Sequence, residues 1–198
     1  EANNVRGLIG AKQCLANAYM GTGRWEEGKK ALEEAHMLIP KLDNVIVHNS
    51  VLCQLVSLSK AKDDFENLKK YLDEQKSILE DYIRKNPTME EAFQDPLIFN
   101  ELYYAYYYLE MNQSHPAFEH LQKGAKYLTP HTYFMYRVLY YDAYALYYRR
   151  CKEYDKALSQ LDSTIVLLQE AFSSDYVNQL SAKADILLSL IHISEPTR

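Results

Sequence analysis

The stretch KQCLANAYMGTGRWEEGKKALEEAHMLIP, residues 12–40, constrains the fold of this 198-residue chain more than any other. It predicts two amphipathic helices joined by a tight turn at Gly21–Gly23, because glycine readily adopts the left-handed conformation that ends a helix. Pro40 stops the second helix. Small residues stand where the helices must touch, and large apolar residues stand between those points. Such a hairpin cannot cover its own apolar face, so the rest of the chain is expected to supply a neighbour.

The order and spacing of these residues resemble the tetratricopeptide repeat (TPR) family. The matching positions are Leu15, Ala16, Tyr19, Gly23, Trp25, Gly28, Leu32, Ala35 and Pro40. Two positions depart from the family pattern: Gly28 stands where the family most often has Ala, and Lys12 where it often has Trp. The resemblance implies an all-α fold, a right-handed TPR-like solenoid of antiparallel helical hairpins.

Further copies of the pattern follow along the chain. Tyr104 and Tyr144 each begin the large–small–aromatic signature again, whereas the second copy is degenerate, with Ser59 in place of the aromatic residue and Gln75 in place of the small one. The starts of the copies are about 40, 49 and 40 residues apart. We therefore predict a single solenoid over residues 1–188, with about four and a half repeats. The repeats are predicted at about 5–41, 43–86, 96–130, 133–172 and, in part, 175–188, with a loop over 86–96 that has either no helix or one helical turn.

The two ends of the sequence look unlike the ends of a natural domain. The chain begins at Glu1 without an initiator Met, which predicts a fragment of a longer protein. The last ten residues, SLIHISEPTR, supply no capping helix and resemble translated sequencing-adapter read-through. We expect residues 189–198 to be a non-native tail and leave them out of the fold prediction.

Charge, hydropathy and cysteine usage argue against nucleic-acid binding, a membrane span and a disulfide or metal site. The net charge is −5 and no basic block exceeds two residues, which disfavours nucleic-acid binding by this fragment. No apolar run reaches the roughly 18 residues that a membrane span requires. Cys14, Cys53 and Cys151 are far apart and form no CxxC pair, so buried free thiols are predicted rather than a disulfide or a metal site.

No catalytic constellation is predicted. The chain contains no GxSxG, GxGxxG, P-loop or HExxH motif. The acidic pairs Asp63–Asp64 and Glu90–Glu91 stand at expected helix starts, where acids favour the helix dipole. The six histidines are expected to lie apart, since His115 and His120 do not have the i, i+4 spacing of two ligands on one helix face. The sequence therefore predicts no enzyme activity, no metal site and no cofactor.

The 18 tyrosines leave two interpretations open. In the first, Tyr104, Tyr108, Tyr144 and Tyr148 pack between helices and the others lie at the surface. In the second, tyrosines belong to a recognition groove for a protein or peptide partner. In the family that the chain resembles, the first helix of each repeat lines the concave face, and packing against an adjoining part of the same protein is a rival use of that face. Carried over, the candidate partner-binding residues are Gln13, Asn17, Gln54, Phe99, Leu102, Tyr106, Leu109, Leu139, Asp142, Leu146 and Arg149.

Two phrases extend the resemblance to a functional class. GLIGAKQCLANAYMGTGRW and YYRRCKEYDKALSQLDSTIVLLQ resemble the TPR regions ahead of the membrane helix in bacterial envelope histidine kinases and transcriptional regulators. This implies a non-catalytic sensor or interaction module, facing the periplasm, within a larger signal-transduction protein. The alternative is a free-standing scaffold or adaptor that binds peptide tails, which would be cytoplasmic. A carboxylate clamp of that type is matched only by Asn17, because Arg149 is too distant. A regulatory domain fused to an enzyme is a third class.

Overall fold

The structure is a computed structural model that describes residues 2–129, 131–170 and 180–188. Within these ranges the chain is helical and contains no strand, which confirms the all-α class. The α-helices are α1 (Ala2–Gly21), α2 (Trp25–His36), α3 (Val45–Ala61), α4 (Phe65–Lys85), α5 (Gln94–Glu110), α6 (Ser114–Tyr127), α7 (Phe134–Arg150) and α8 (Tyr154–Glu170), followed by helical residues 180–188. The tail 189–198 and the predicted helix start near residue 175 lie outside the described residues. None of the described helices combines the length and the apolar character that a membrane crossing requires.

The chain divides into two compact units, Glu1–Pro96 and Leu97–Arg198. In the first unit α1 packs on α2, α2 on α3, and α3 on α4. In the second unit α6 packs on α7 and α7 on α8. Residues of α5 share a core cluster with Leu121 of α6. The architecture within each unit is therefore a succession of helical hairpins, and the prediction of one continuous solenoid stays a prediction.

The same turn closes all four hairpins. In each turn the backbone N–H of the residue just before the next helix donates to the carbonyl five residues earlier, as in the Schellman motif. The four bonds are Arg24 to Tyr19 (2.9 Å), Asp64 to Ser59 (2.9 Å), Gln113 to Tyr108 (2.8 Å) and Glu153 to Tyr148 (2.9 Å). The residue before each donor has a positive φ: Gly23 at 77°, Asp63 at 53°, Asn112 at 56° and Lys152 at 62°. These residues are 40, 49 and 40 positions apart, which are the separations that the sequence shows between the starts of the predicted copies.

The contact between α1 and α2 depends on Gly28. A Cβ at this position would lie 2.8 Å from Cγ of Met20 and 3.3 Å from the carbonyl oxygen of Ala16. Ala16 is itself fully buried, as predicted. The large residues Leu15 and Trp25, which stand between the contact points, are 45% and 36% exposed.

Two further predictions need correction. The segment predicted as a loop over 86–96 contains the 3-10 helices Pro87–Met89 and Glu91–Phe93, and α5 already begins at Gln94. Phe93 is buried and packs on Tyr82, with ring centroids 5.0 Å apart, which holds this segment on the end of α4. Among the cysteines, Cys14 is exposed rather than buried.

The four turns generate a prediction about backbone conformation. Replacing Gly23 by Ala should lower the free energy of unfolding by about 1 kcal/mol, because a Cβ is disfavoured at positive φ. Replacing Lys152 by Gly should raise it, by up to about 1 kcal/mol, since the same strain is removed. Urea denaturation followed by circular dichroism measures both changes. The control is Gly7→Ala inside α1, where Ala is the better helix former and should not destabilise. Loss of stability in Lys152→Gly would contradict the assignment of its turn.

Candidate functional site

Three of the predicted partner-binding residues form a ladder of amides between α1 and α3. Nε2 of Gln13 donates to Oε1 of Gln54 at 2.8 Å and to Oγ of Ser50 at 3.0 Å. Nε2 of Gln54 in turn donates to Oδ1 of Asn17 at 2.9 Å. The structure therefore brings Gln13, Asn17 and Gln54 together, and we call these three residues the amide ladder.

A groove of about 410 Å³ opens beside the amide ladder. Its apolar part includes Trp25, which is 36% exposed and lies 5.9 Å below the ammonium group of Lys62. Its polar part includes Asn17 and Gln54. The lining residues of this α1–α3 groove are Asn17, Met20, Trp25, Cys53, Gln54, Ser57, Leu58 and Ala61. Amide side chains, like peptide groups, both donate and accept hydrogen bonds. The groove therefore combines hydrogen-bonding groups with an apolar wall.

Three predicted residues of α5 are not available to a partner. Phe99, Leu102 and Leu109 are 8%, 1% and 1% exposed, so their placement on a binding surface is corrected. Leu102 packs against Gly124 of α6, where an added Cβ would lie only 3.3 Å from Cδ2 of Leu102. Phe99 stacks on the ring of Tyr103, with centroids 4.3 Å apart.

The burial of Leu102 follows from a contact that recurs in three hairpins. In each of them, a first-helix residue meets the second-helix residue that follows 22 positions later. The pairs are Cys53 with Gln75 (3.1 Å), Leu102 with Gly124, and Asp142 with Thr164 (3.0 Å). This position faces the hairpin's own second helix, and so its chemistry serves packing within the hairpin.

The remaining predicted residues lie on α5 and α7. Tyr106 and Leu139 are half-buried, and Leu139 packs against the core cluster that contains Leu121. Asp142, Leu146 and Arg149 line one depression of about 190 Å³ together with residues of α8 and of the helical segment 180–188. The structure therefore brings these last three together as a second, smaller candidate surface.

A buried polar pair in the second unit was missed by sequence reasoning. Nδ1 of His120 lies 2.6 Å from Oε2 of Glu101, and both residues are at most 9% exposed. The rings of Tyr104 and Tyr108 stack on the imidazole, with centroids 4.8 and 5.3 Å away. Both tyrosines therefore pack between α5 and α6, as in the first of the two interpretations left open by the sequence. The position of His120, three residues after buried Ala117, is the signal that places it on the core side of α6.

A second missed cluster joins three helices of the first unit. Nε2 of His36 and Nε2 of His48 each lie 2.8 Å from Oε1 of Glu74. These hydrogen bonds, first from His36 and then from His48, lower the pKa of Glu74 to about 2. The expectation that the histidines lie apart is wrong for this pair. No spacing along the sequence could have found the cluster, because its members come from α2, α3 and α4.

Cys53 at the edge of the groove has an altered acidity. Burial raises its pKa to about 11, although a hydrogen bond from Gln75 acts in the opposite direction. The half-buried thiol therefore stays protonated at neutral pH, which makes it a poor nucleophile.

We expect the Glu101–His120 pair to be energetically coupled. His120→Phe keeps a ring between the two tyrosines but leaves the Glu101 carboxylate buried without this partner, which should cost about 1–3 kcal/mol. The double variant Glu101→Met/His120→Phe should recover most of that loss, because replacing both partners by apolar groups removes the unsatisfied group. Urea denaturation of the wild type, both single variants and the double variant measures the coupling. Simple addition of the two single losses would contradict it.

Because of Cys53, the free energy of unfolding should fall at alkaline pH. Because its pKa is raised on folding, its contribution is fully present below about pH 9 and is lost as pH rises towards about 11. The free energy of unfolding should fall by about 2–3 kcal/mol more in the wild type than in Cys53→Ala over this range.

At pH 8, a short maleimide pulse followed by peptide mass spectrometry should label exposed Cys14 and spare Cys53. Equal labelling of the two would show that Cys53 is not enclosed.

Comparison with known proteins supports the fold alone. No family model matches the chain, and no curated protein matches it in sequence. Among solved structures, the chain is similar to that described as the crystal structure of BtubC (BKLC) from P. vanneervenii, with a TM-score of 0.60 and 11% identity. The match covers 98% of this chain and 85% of that chain. The chain thus shares its all-helical arrangement with a solved protein.

Proposed function

We propose that this chain is a non-catalytic interaction module, built of TPR-like hairpins, that binds a peptide segment of a protein partner in the α1–α3 groove. The TPR type is supported by the nine matched positions of the first hairpin and by the turn that four hairpins share. Within each unit the hairpins pack on one another, so the first helices of neighbouring hairpins, such as α1 and α3, lie side by side.

The amide ladder beside exposed Trp25 is the observation that carries the proposal. An extended peptide presents alternating N–H and C=O groups, and Asn and Gln side chains can satisfy both. Asn17 is exposed, and Gln54 is half-buried and held at a defined position by its bonds to Gln13 and Asn17. A partially exposed Trp is a frequent anchor of binding energy in protein interfaces. The groove therefore suits a peptide that pairs main-chain hydrogen bonds with one apolar side chain.

We further propose that the module is the input region of a larger bacterial signal-transduction protein. The two phrases that resemble envelope regulators support this reading. The alternative is a free-standing scaffold or adaptor that uses the same groove. The two differ in what the gene encodes after residue 188: a membrane helix followed by a kinase or DNA-binding region supports the input module, whereas a capping helix and a stop codon support the adaptor.

A peptide selection tests the groove directly. The whole 198-residue chain is used to select from a phage-displayed peptide library, and enriched peptides are measured by fluorescence polarisation. Asn17→Ala and Gln54→Ala should each weaken binding by about tenfold or more, in line with the loss of an interface anchor. The matched control is Gln122→Ala, the same kind of change at an exposed amide of α6.

Two results would contradict the proposal. One is a selection in which no peptide is enriched over the naive library. The other is binding that Asn17→Ala, Gln54→Ala and Gln122→Ala affect equally, with circular dichroism showing that all three variants are folded. Because Asn17 is exposed, its replacement is expected to leave the fold intact.

A further inference from the structure

His36, His48 and Glu74 converge where three helices of the first unit meet. His36 is the last residue of α2, His48 lies in the first turn of α3, and Glu74 lies near the middle of α4. The two imidazoles approach the same carboxylate oxygen, each at 2.8 Å through Nε2. We call these three residues the His–His–Glu cluster.

The separation of the polar atoms is close to that of ligands around a small metal ion. One ligand atom from each residue lies within 4.8 Å of the other two. Zinc binds nitrogen and oxygen at about 2.0–2.2 Å, so ligands at the corners of a tetrahedron around it lie roughly 3.3 Å apart. The two contacts to Glu74 would have to lengthen by only about half an ångström to admit an ion.

The type of donor selects the class of ion. Two imidazole nitrogens with one carboxylate oxygen form a ligand set that suits zinc and its neighbours in the first transition series. Magnesium and calcium prefer shells made of oxygen alone. The side chains of His36, His48 and Glu74 are 25%, 19% and 30% exposed, which gives an ion a way in and leaves room for water as a fourth ligand.

We propose that the His–His–Glu cluster binds one divalent ion of the zinc class, with water in the fourth position, and that the ion ties the first hairpin to the second. The ion would bridge α2 of one hairpin to α3 and α4 of the next. Each imidazole would coordinate through Nε2 and carry its proton on Nδ1. This site is separate from the α1–α3 groove, so it neither depends on peptide binding nor explains it.

The proposal has a consequence for stability. The three ligands are 12 and 26 residues apart along the chain, and only folding brings them together. An ion that binds the folded state in preference to the unfolded chain raises the melting temperature in proportion to the logarithm of its concentration. Zinc should therefore stabilise the first unit against thermal unfolding.

Calorimetric titration of the whole 198-residue chain with ZnCl2 tests the site. We expect one ion per chain and a higher melting temperature, and we expect no comparable effect of MgCl2 at the same concentration. Glu74→Gln and His48→Gln should each weaken zinc binding at least about tenfold. The control variants are His115→Gln, at a side chain that is 87% exposed, and Cys14→Ser at an exposed thiol, both of which should bind zinc as the wild type does.

Several outcomes would overturn the proposal. These are the absence of saturable zinc binding, binding that Glu74→Gln and His48→Gln leave unchanged, and binding that disappears in Cys14→Ser. If the cluster variants fail to fold, X-ray absorption on the zinc-loaded wild type decides the matter. Two imidazoles with oxygen ligands support the site, whereas a sulfur ligand or fewer than two imidazoles excludes it.

Discussion

The backbone hydrogen bond that closes each hairpin is the constraint on which the rest of the structure depends. It reverses the chain within three residues, and only a residue in the left-handed conformation allows it. Glycine meets this demand at position 23, whereas Asp63, Asn112 and Lys152 meet it with a Cβ in place. The recurrence of one bond in four turns shows that the hairpin is specified by backbone geometry, while the side chains that surround it differ.

Inside the hairpins, one contact position carries different chemistry from copy to copy. At equivalent places, a thiol meets an amide in one hairpin, a leucine meets a glycine in the next, and a carboxylate meets a hydroxyl in the last. In the two polar pairs, the side chains hydrogen-bond to each other. This position therefore varies widely in chemistry between hairpins that share the same closing turn.

Two clusters of polar groups lie where helices of different hairpins meet. The amide ladder spans α1 and α3, and the His–His–Glu cluster spans α2, α3 and α4. Both join the first hairpin to the second. Hydrogen-bonded groups at such a boundary make the pairing of hairpins specific, since a shift of one helix past the other would break several bonds at once. They also place chemically useful side chains in half-exposed positions, where a partner or an ion can reach them.

The sequence by itself determined the helices, their order and the spacing of the hairpins. These depend on local signals: Gly23 at a turn, Pro40 after the end of a helix, and apolar residues at helical periodicity. It also indicated part of the candidate surface, since Gln13, Asn17 and Gln54 do meet. Only the tertiary structure decided which first-helix residues face their own hairpin, as Leu102 does, and which stay open, as Asn17 does. The rotation of each helix about its own axis decides which of its residues face inward. That rotation depends on the size of the residue opposite, as where Gly124 leaves room for Leu102. The meeting of His36, His48 and Glu74 was equally beyond local patterns, because packing between hairpins, and no sequence interval, brings them together.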